Sequence, residues 1–195
     1  MRQAFAATLL AMTFGAGPAL ADWTLDPARS HLTFISIKAQ NVAEVHVFKE
    51  MSGGVEADGK VTVTLMLDSV DTLVPIRNER MREVLFETTD YKEAVLSATI
   101  DPAAISSMGA GDIATITAEG NLSLHGQVQQ MTMVMQAAKV ADNTVMVAGT
   151  KPLVIDAAKF GMSEGVEKLR EIAGLDSISN AVPVYYVMTF VDAGE

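Results

Sequence analysis

The sequence predicts an all-β protein, an antiparallel sandwich or barrel, with one or two short helical insertions. Most of the 195 residues alternate polar and apolar side chains with the period of a strand. Turn-forming pairs such as Asp58-Gly59, His125-Gly126 and Asp142-Asn143 separate the alternating segments. The result is roughly eight or nine strands with short connections, and the lack of long apolar βαβ units argues against a doubly wound sheet.

The predicted strands follow from this alternation and from the turn signals at their ends. In chain order they are 30–39, 41–55, 61–67, 95–100, 113–124, 131–140, 144–148, 153–155 and 184–191. Gly53-Gly54 predicts a turn or a bulge within the second strand. The segment 103–111 is predicted to be a loop with a helical turn.

Two stretches depart from the strand pattern. In 76–91, Met81, Val84 and Leu85 fall at the i, i+3, i+4 spacing of one helix face, shortly after Pro75. In 156–180, an N-cap pattern at Ser163 predicts a short helix that ends before Gly174.

Several strands carry apolar residues on both faces, which a sheet with one solvated face would not need. In the last strand one face holds Val184, Tyr186, Met188 and Phe190, and the other holds Tyr185, Val187 and Val191. The extra apolar surface must meet another layer, a partner chain or a ligand. A barrel with an apolar lumen satisfies the pattern and can hold one small ligand.

Residues 1–21 are predicted to be a cleaved secretory signal peptide. They comprise Arg2, an apolar segment and small residues at Ala19 and Ala21, and this segment is too short to span a bilayer. The remaining residues, 22–195, are predicted to form a single domain in the periplasm. No later apolar run is long enough to cross a membrane, so an integral membrane protein is not expected.

The composition narrows the function classes further. The chain has no cysteine, so it has no disulfide and no lipidated N-terminal cysteine as an anchor. Its net charge of −10 argues against non-specific binding to nucleic acid or to anionic lipid surfaces.

Catalytic motifs are absent from the sequence, and the expected protein is not an enzyme. His31, His46 and His125 are widely separated, and no nucleophile elbow, zinc-protease motif or phosphate-binding loop occurs. An enzyme would need His46, Glu44 and His125 to converge in space.

Two groups of residues could be metal ligands, but a structural role explains each group better, and no metal is expected. Met131, Met133 and Met135 share one strand face, a spacing that suits Cu(I) but is more typical of an adaptable apolar wall. Glu44 and His46 also share a face, and we interpret them as a hydrogen-bonded surface pair.

Three arginines lie within six positions of the first helical stretch. Arg77 and Arg80 share a helix face and could hold an anionic head group. The alternative is a solvated face in which the arginines pair with Glu79 and Glu83, Arg82 with Glu79 in particular. Spacing alone favours the solvated face.

Four groups of motifs, taken in order, resemble those of the YceI-like family. They are Trp23-Thr24-Leu25-Asp26-Pro27 with Ser30-x-Leu32-x-Phe34; Asp68-Ser69-Val70-Asp71-Thr72 followed by Arg77-Asn78-Glu79-Arg80-Met81-Arg82 and Leu85-Phe86; Gly120-Asn121-Leu122-Ser123-Leu124-His125-Gly126; and Asp156-Ala157-Ala158-Lys159-Phe160-Gly161-Met162. This chain departs from the family's usual residues at three places, which indicates that it belongs to a divergent branch. His46 stands where glycine is usual, Lys92 where proline is common, and Val128-Gln129-Gln130 where Thr-Lys-Pro is common.

The resemblance implies a lipocalin-like antiparallel β-barrel of about eight strands, with helical insertions over an elongated lumen. Members of the family are exported bacterial proteins that bind polyisoprenoids, isoprenoid quinones or fatty amides. The family supplies no catalytic residues to carry over.

We therefore expect a periplasmic carrier for a long-chain amphiphilic lipid, with no cofactor other than that bound lipid or isoprenoid. Met81 and Leu85 are expected to close the lumen, with Arg77 or Arg80 near a head group. Alternation along the strands predicts a lumen wall of Leu32, Phe34, Val63, Leu65, Leu67, Leu122, Met133, Met135, Tyr186 and Met188. The alternative is an exported interaction or stress-response protein that forms a homodimer through its apolar strands and binds no ligand.

Overall fold

The structure, a computed structural model, describes residues 22–194, so the predicted signal peptide at residues 1–21 lies outside the described residues. Within that range the strands are β1 (Trp23–Leu25), β2 (His31–Lys38), β3 (Val42–Phe48), β4 (Met51–Val55), β5 (Lys60–Met66), β6 (Val70–Asp71), β7 (Glu93–Thr99), β8 (Ile113–Leu124), β9 (Gln127–Ala141), β10 (Thr144–Gly149), β11 (Leu153–Asp156) and β12 (Ala181–Asp192). The helices are α1 (Pro75–Arg80), α2 (Ala103–Ser106) and α3 (Ser163–Ile172).

These strands close into an eight-stranded antiparallel barrel. The ring follows the order β1, β4, β5, β7, β8, β9, β10 and β12, and it closes because β12 pairs back onto β1. The barrel predicted from the alternation is thereby confirmed, and the sandwich alternative is wrong. Closure removes the free edges of the ring, and it turns one face of each of its strands toward a common interior.

Four further strands lengthen the barrel at one end. β2 continues β1, β3 precedes β4, β6 continues β5, and β11 continues β10, each after a break. The extensions pair with each other and with β12. Because α1 follows β6 and α3 follows β11, both helices lie at this lengthened end.

The second predicted strand is interrupted, as expected, but the break lies at Lys49 and Glu50, a few residues before the two glycines. Ser69, in a short helical turn after β5, accepts hydrogen bonds through Oγ from the Lys49 and Glu50 amides, at 3.2 and 3.1 Å. Gly53 instead lies inside β4, where a β-carbon would come within 2.3 Å of the Thr62 carbonyl oxygen. Glycine there permits close approach of the neighbouring strand.

The first helical stretch is shorter and less regular than predicted. After α1 the chain makes a π-helical turn, Met81–Leu85, closed by a hydrogen bond of 2.9 Å from the Phe86 amide to the Met81 carbonyl. The extra residue in a π turn rotates the side chains that follow it. Met81, Leu85 and Phe86 consequently face the barrel interior, whereas Val84, predicted on the same face, lies against α3.

The helix predicted in 156–180 is α3, and it forms as expected except at its start. Ser163 is its first helical residue, not its cap, and no side chain in the described part of the chain caps the helix start. Gly174, with φ of +61°, lies just beyond its end, as the sequence predicted. Gly165 allows α3 to approach the π turn, since a β-carbon there would be 2.7 Å from the Val84 carbonyl oxygen. No helix within residues 22–194 is long and apolar enough to cross a membrane.

Candidate ligand-binding site

The barrel encloses an elongated cavity of about 800 Å³. Its wall is made of inward side chains from the strands of the ring and from the strands that lengthen it, most of them apolar. Ile105 and Ser106 of α2 lie at one end, and Arg77 and Arg80 of α1 lie at the other. This size falls within the range of small-molecule sites, and the apolar wall suits a hydrocarbon chain.

All fourteen residues predicted to contact a ligand line this cavity; their contact with a ligand stays a prediction. They are Leu32, Phe34, Val63, Leu65, Leu67, Arg77, Arg80, Met81, Leu85, Leu122, Met133, Met135, Tyr186 and Met188. Further wall residues that sequence reasoning did not select are Ile116, Ala118, Val145, Val147 and Phe190. The same alternation marks them. Apolar residues on both faces of β10 and β12 hid which face was inside, whereas the outward face of β8 is mostly polar, so the pattern alone could have found Ile116 and Ala118.

The three methionines of β9 form a stripe along the wall. Met131, Met133 and Met135 all face the cavity, and Met133 is almost completely buried. Within residues 22–194, no group of three histidine, cysteine, aspartate or glutamate side chains could hold a metal ion. The flexible thioether side chains suit an adaptable apolar wall.

Polarity rises along β2 and β3 toward the lengthened end of the barrel. On β2 the inward residues run from Leu32 and Phe34 to Ser36 and Lys38. The facing residues of β3 follow the same trend, because Phe34 pairs with His46 and Ser36 pairs with Glu44. The cavity thus changes from an apolar tunnel to a charged mouth within a few residues.

His46 is buried in this transition zone, and the predicted surface pair with Glu44 is wrong. Only 2% of its surface is exposed, and Nε2 forms its hydrogen bond with Ser36 Oγ, at 2.8 Å, and not with the Glu44 carboxylate. Its ring packs on Phe34, with 5.1 Å between ring centroids. Burial lowers the pKa of His46, and the positive charge of Arg77 lowers it further.

Glu44 is the anionic centre of the mouth. It accepts hydrogen bonds from Lys38 and from Arg77, each at 2.8 Å. The hydrogen bonds from these two cations hold the pKa of the Glu44 carboxyl below its usual value. Arg77 also donates to the Thr72 carbonyl oxygen at 2.6 Å, which fixes the guanidinium across the mouth.

The arginines therefore behave differently from the predicted solvated face. Arg77 pairs with Glu44, 33 positions away in sequence, and not with the glutamates of its own helix. Arg82 does not pair with Glu79 but donates to the Asp68 carbonyl oxygen at 3.3 Å. Arg80 lines the cavity, and within residues 22–194 no ion pair or hydrogen bond engages its guanidinium. It is the cation best placed to meet a ligand.

A polar network fixes the start of α1 at the mouth. Asn78 Oδ1 accepts from the Thr72 amide at 2.8 Å and from the Thr72 hydroxyl at 2.6 Å. Asp71 accepts from Lys49 at 2.7 Å and from the Leu73 amide at 2.9 Å, and these bonds, chiefly the one from Lys49, hold its pKa far below its usual value. They support the left-handed conformation of Leu73, whose φ is +62°.

Comparison with known proteins agrees with this architecture. Residues 23–190 match the YceI-like domain. The chain belongs to the YceI-like family. No curated protein matches it.

Solved structures that resemble this YceI-like chain include the following three. A polyisoprenoid-binding domain from Saccharophagus degradans, implicated in plant cell wall breakdown, is 33% identical, with a TM-score of 0.87, and the match covers 89% of this chain and 99% of that one. BcnA of Burkholderia cenocepacia is 22% identical, with a TM-score of 0.66 and coverages of 85% and 98%. A Campylobacter jejuni YCEI protein is 13% identical, with a TM-score of 0.54 and coverages of 77% and 85%. The last two support the fold alone.

Proposed function

We propose that this protein binds a long-chain amphiphilic lipid in its barrel and carries it through the periplasm. The observation that carries the proposal is the cavity itself, an apolar tunnel of about 800 Å³ that ends in a charged mouth. A hydrocarbon tail matches the tunnel, and a polar head matches the mouth.

The size of the cavity is consistent with a long chain. A methylene group occupies about the volume of a water molecule, roughly 30 Å³. On that basis a cavity of 800 Å³ accommodates on the order of 25 methylene groups. Each methylene removed from water contributes about 0.8 kcal/mol, so a long tail needs few polar contacts for tight binding.

The Saccharophagus degradans domain supports a ligand class. That domain is described as polyisoprenoid-binding, and it shares 33% of its residues with this chain over nearly its whole length. A polyisoprenoid, an isoprenoid quinone or a fatty amide would each combine an apolar chain with a small polar end. Export by the predicted signal peptide at residues 1–21 would place the carrier in the periplasm.

Binding to a homologous series of primary alcohols tests the proposal. Protein stripped of bound lipid is loaded with the fluorescent probe N-phenyl-1-naphthylamine, and alcohols of increasing length then displace the probe. We expect affinity to rise by about 0.8 kcal/mol per methylene, which is roughly fourfold, until the cavity is full. Affinity that does not depend on chain length would contradict the proposal.

One observation favours the alternative of a ligand-free interaction protein. Val45, Val154 and Tyr185 are 60%, 59% and 47% exposed on the outer faces of β3, β11 and β12. The strands β11, β12, β2 and β3 are consecutive neighbours in the sheet, so these side chains share one outer surface. An apolar surface of this kind could pair two copies of the chain.

A further inference from the structure

The loop that leads from β6 into α1 exposes apolar side chains at the rim of the mouth. Leu73 is 87% exposed, Val74 is 40% exposed and Ile76 is 51% exposed. None of the large apolar side chains described in residues 22–194 is more exposed than Leu73. We call these three residues the lip. Val74 and Ile76 also line the cavity, so the lip continues the apolar wall of the tunnel out to the protein surface.

The fold holds the lip in an uncommon backbone conformation. Leu73 has a φ of +62°, in the left-handed region that leucine rarely adopts. Asp71 accepts a hydrogen bond from the Leu73 amide at 2.9 Å, and the buried Thr72 is bound to Asn78 through its amide and its hydroxyl, at 2.8 and 2.6 Å. These bonds fix the loop with its leucine exposed. Backbone strain that the surrounding structure maintains often marks a functional segment.

The opposite side of the mouth is also apolar. Leu175 and Ile178, in the segment after α3, line the cavity. Ile178 pairs with Lys38 in an isolated β-bridge, and Lys38 shares the Glu44 carboxylate with Arg77 of α1. The segment after α3 and the lip therefore frame one opening from two sides.

The charged residues that line the mouth are mostly cations. Lys38, Arg77 and Arg80 are accompanied there by one carboxylate, Glu44, which already binds the first two. Arg80 has no ion pair in the described part of the chain, and Glu79 of the same helix does not line the cavity. The lining of the mouth is thus net positive, although the whole chain has a net charge of −10. An anionic surface would be attracted to the mouth more than to the rest of the protein.

A lipid bilayer matches both features of this end of the barrel. Its acyl boundary takes up exposed apolar side chains, and its anionic head groups attract nearby cations. We propose that the lip is a membrane-docking surface, which places the mouth against a bilayer with anionic head groups, so that a lipid tail passes between bilayer and tunnel without crossing water. This inference rests on the proposed function, since it names the partner with which the carrier exchanges its ligand.

Two substitutions of exposed apolar residues separate the lip from the rest of the surface. Leu73→Asn removes the apolar side chain and keeps the loop, because asparagine is enriched in the left-handed region. Ile113→Thr is the matched control. Ile113 is 68% exposed and begins β8 at the other end of the barrel, where the neighbouring Ile116 packs with Ile105 of α2. Flotation with vesicles of phosphatidylcholine, with and without phosphatidylglycerol, measures the membrane affinity of wild type and both variants.

We expect wild type to bind vesicles that contain phosphatidylglycerol more tightly than vesicles of phosphatidylcholine alone. Leu73→Asn should lose about ten- to a hundredfold in vesicle affinity, the range for burial of one leucine side chain, whereas Ile113→Thr should match wild type. Because the chain has no cysteine, Leu73→Cys and Ile113→Cys can each carry one environment-sensitive dye. The dye should brighten on vesicle addition at position 73 only.

Three results would overturn the inference. They are equal vesicle affinity of wild type and Leu73→Asn, an equal loss in Leu73→Asn and Ile113→Thr, and equal binding of wild type to the two kinds of vesicle. Absence of vesicle binding, with wild-type dimers that Leu73→Asn dissociates, would assign the lip to a second copy of the chain and also overturn it.

Displacement of N-phenyl-1-naphthylamine by hexadecanol separates this inference from the proposed function. Leu73 does not line the cavity, so Leu73→Asn should bind hexadecanol as wild type does. Wild type that binds hexadecanol but no vesicle would refute the docking surface and leave the proposed function standing. Wild type that binds vesicles but no hexadecanol would refute the proposed function, and the exchange of lipid at the mouth with it.

Discussion

Ala118 offers a direct test of how the cavity limits the length of its ligand. It lies near the middle of β8, faces the cavity, is 1% exposed, and packs with Ala98 and Met133. Ala118→Leu adds three carbon atoms to the wall, which occupy on the order of 90 Å³ if each fills about the volume of a water molecule. The ligand would then lose the space of about three methylenes.

The affinity change follows from the same arithmetic. Three displaced methylenes at about 0.8 kcal/mol each amount to roughly 2.4 kcal/mol, or about fiftyfold in affinity. The loss should appear only for chains long enough to reach Ala118. In the primary-alcohol series, the length at which affinity stops rising should therefore decrease by about three methylenes in the variant.

Thr117→Leu provides the matched control. Thr117 precedes Ala118 on β8 and points outward, so the same side chain is added outside the cavity. This variant should give the wild-type length dependence, and thermal melting should establish that both variants are folded. The reasoning would be refuted if Ala118→Leu kept the wild-type limiting length, or if both variants changed it equally.

Three further predictions concern the mouth and the helices. Arg80→Gln should weaken binding of a long-chain fatty acid in the displacement assay while leaving the alcohol of equal length unaffected, because Arg80 lines the cavity and forms no ion pair with any residue in 22–194. Arg82→Gln, which lies off the cavity, is the control. Gly165→Ala should destabilise the fold by about 1–3 kcal/mol in urea denaturation, because the added β-carbon would come within 2.7 Å of a backbone oxygen. Gly109→Ala is the control and should leave stability unchanged, because the atom nearest to its added β-carbon would be 3.5 Å away. The pKa of His46 in the folded protein is below its ordinary 6.5, so the unfolded chain takes up this proton at a higher pH than the folded protein does. The free energy of unfolding should therefore fall as the pH is lowered through 6.5. His46→Asn should lose this component of the pH dependence.

Contrary results would be equally clear. Equal effects of Arg80→Gln and Arg82→Gln on fatty-acid binding would remove Arg80 from head-group recognition. Equal stability of the two glycine variants would mean that α3 can shift without cost. An identical pH dependence in wild type and His46→Asn would mean that His46 titrates as it does in the unfolded chain.

The barrel and its wall could be predicted because they depend on local patterns. Alternation with period two assigns a residue such as Met133 or Tyr186 to one face, and a closed barrel gives that face a single environment. The turn at His125-Gly126 is encoded equally locally, since both residues adopt positive φ. The motif order then selected a lipocalin-like barrel over other all-β folds.

The polar mouth could not be predicted, because its partners are distant in sequence. Arg77 has two glutamates within six positions, yet it pairs with Glu44, and only the barrel brings β3 beside α1. The burial of His46 likewise depends on the fold, because β3 pairs with β2 and Phe34 packs on the imidazole ring. The π-helical turn at Met81–Leu85 has no signature in the spacing of apolar residues, so the orientation of Val84 was predicted wrongly.

The central claim, that the barrel carries a lipid, is tested most directly by identifying what the protein holds when it is purified from its native host. Mass spectrometry of an organic extract, quantified against the protein, is the measurement. We predict a lipid with a long apolar chain and at least one polar oxygen, at close to one molecule per chain. An extract free of lipid, from a protein that forms a stable dimer, would contradict the claim and favour the interaction protein.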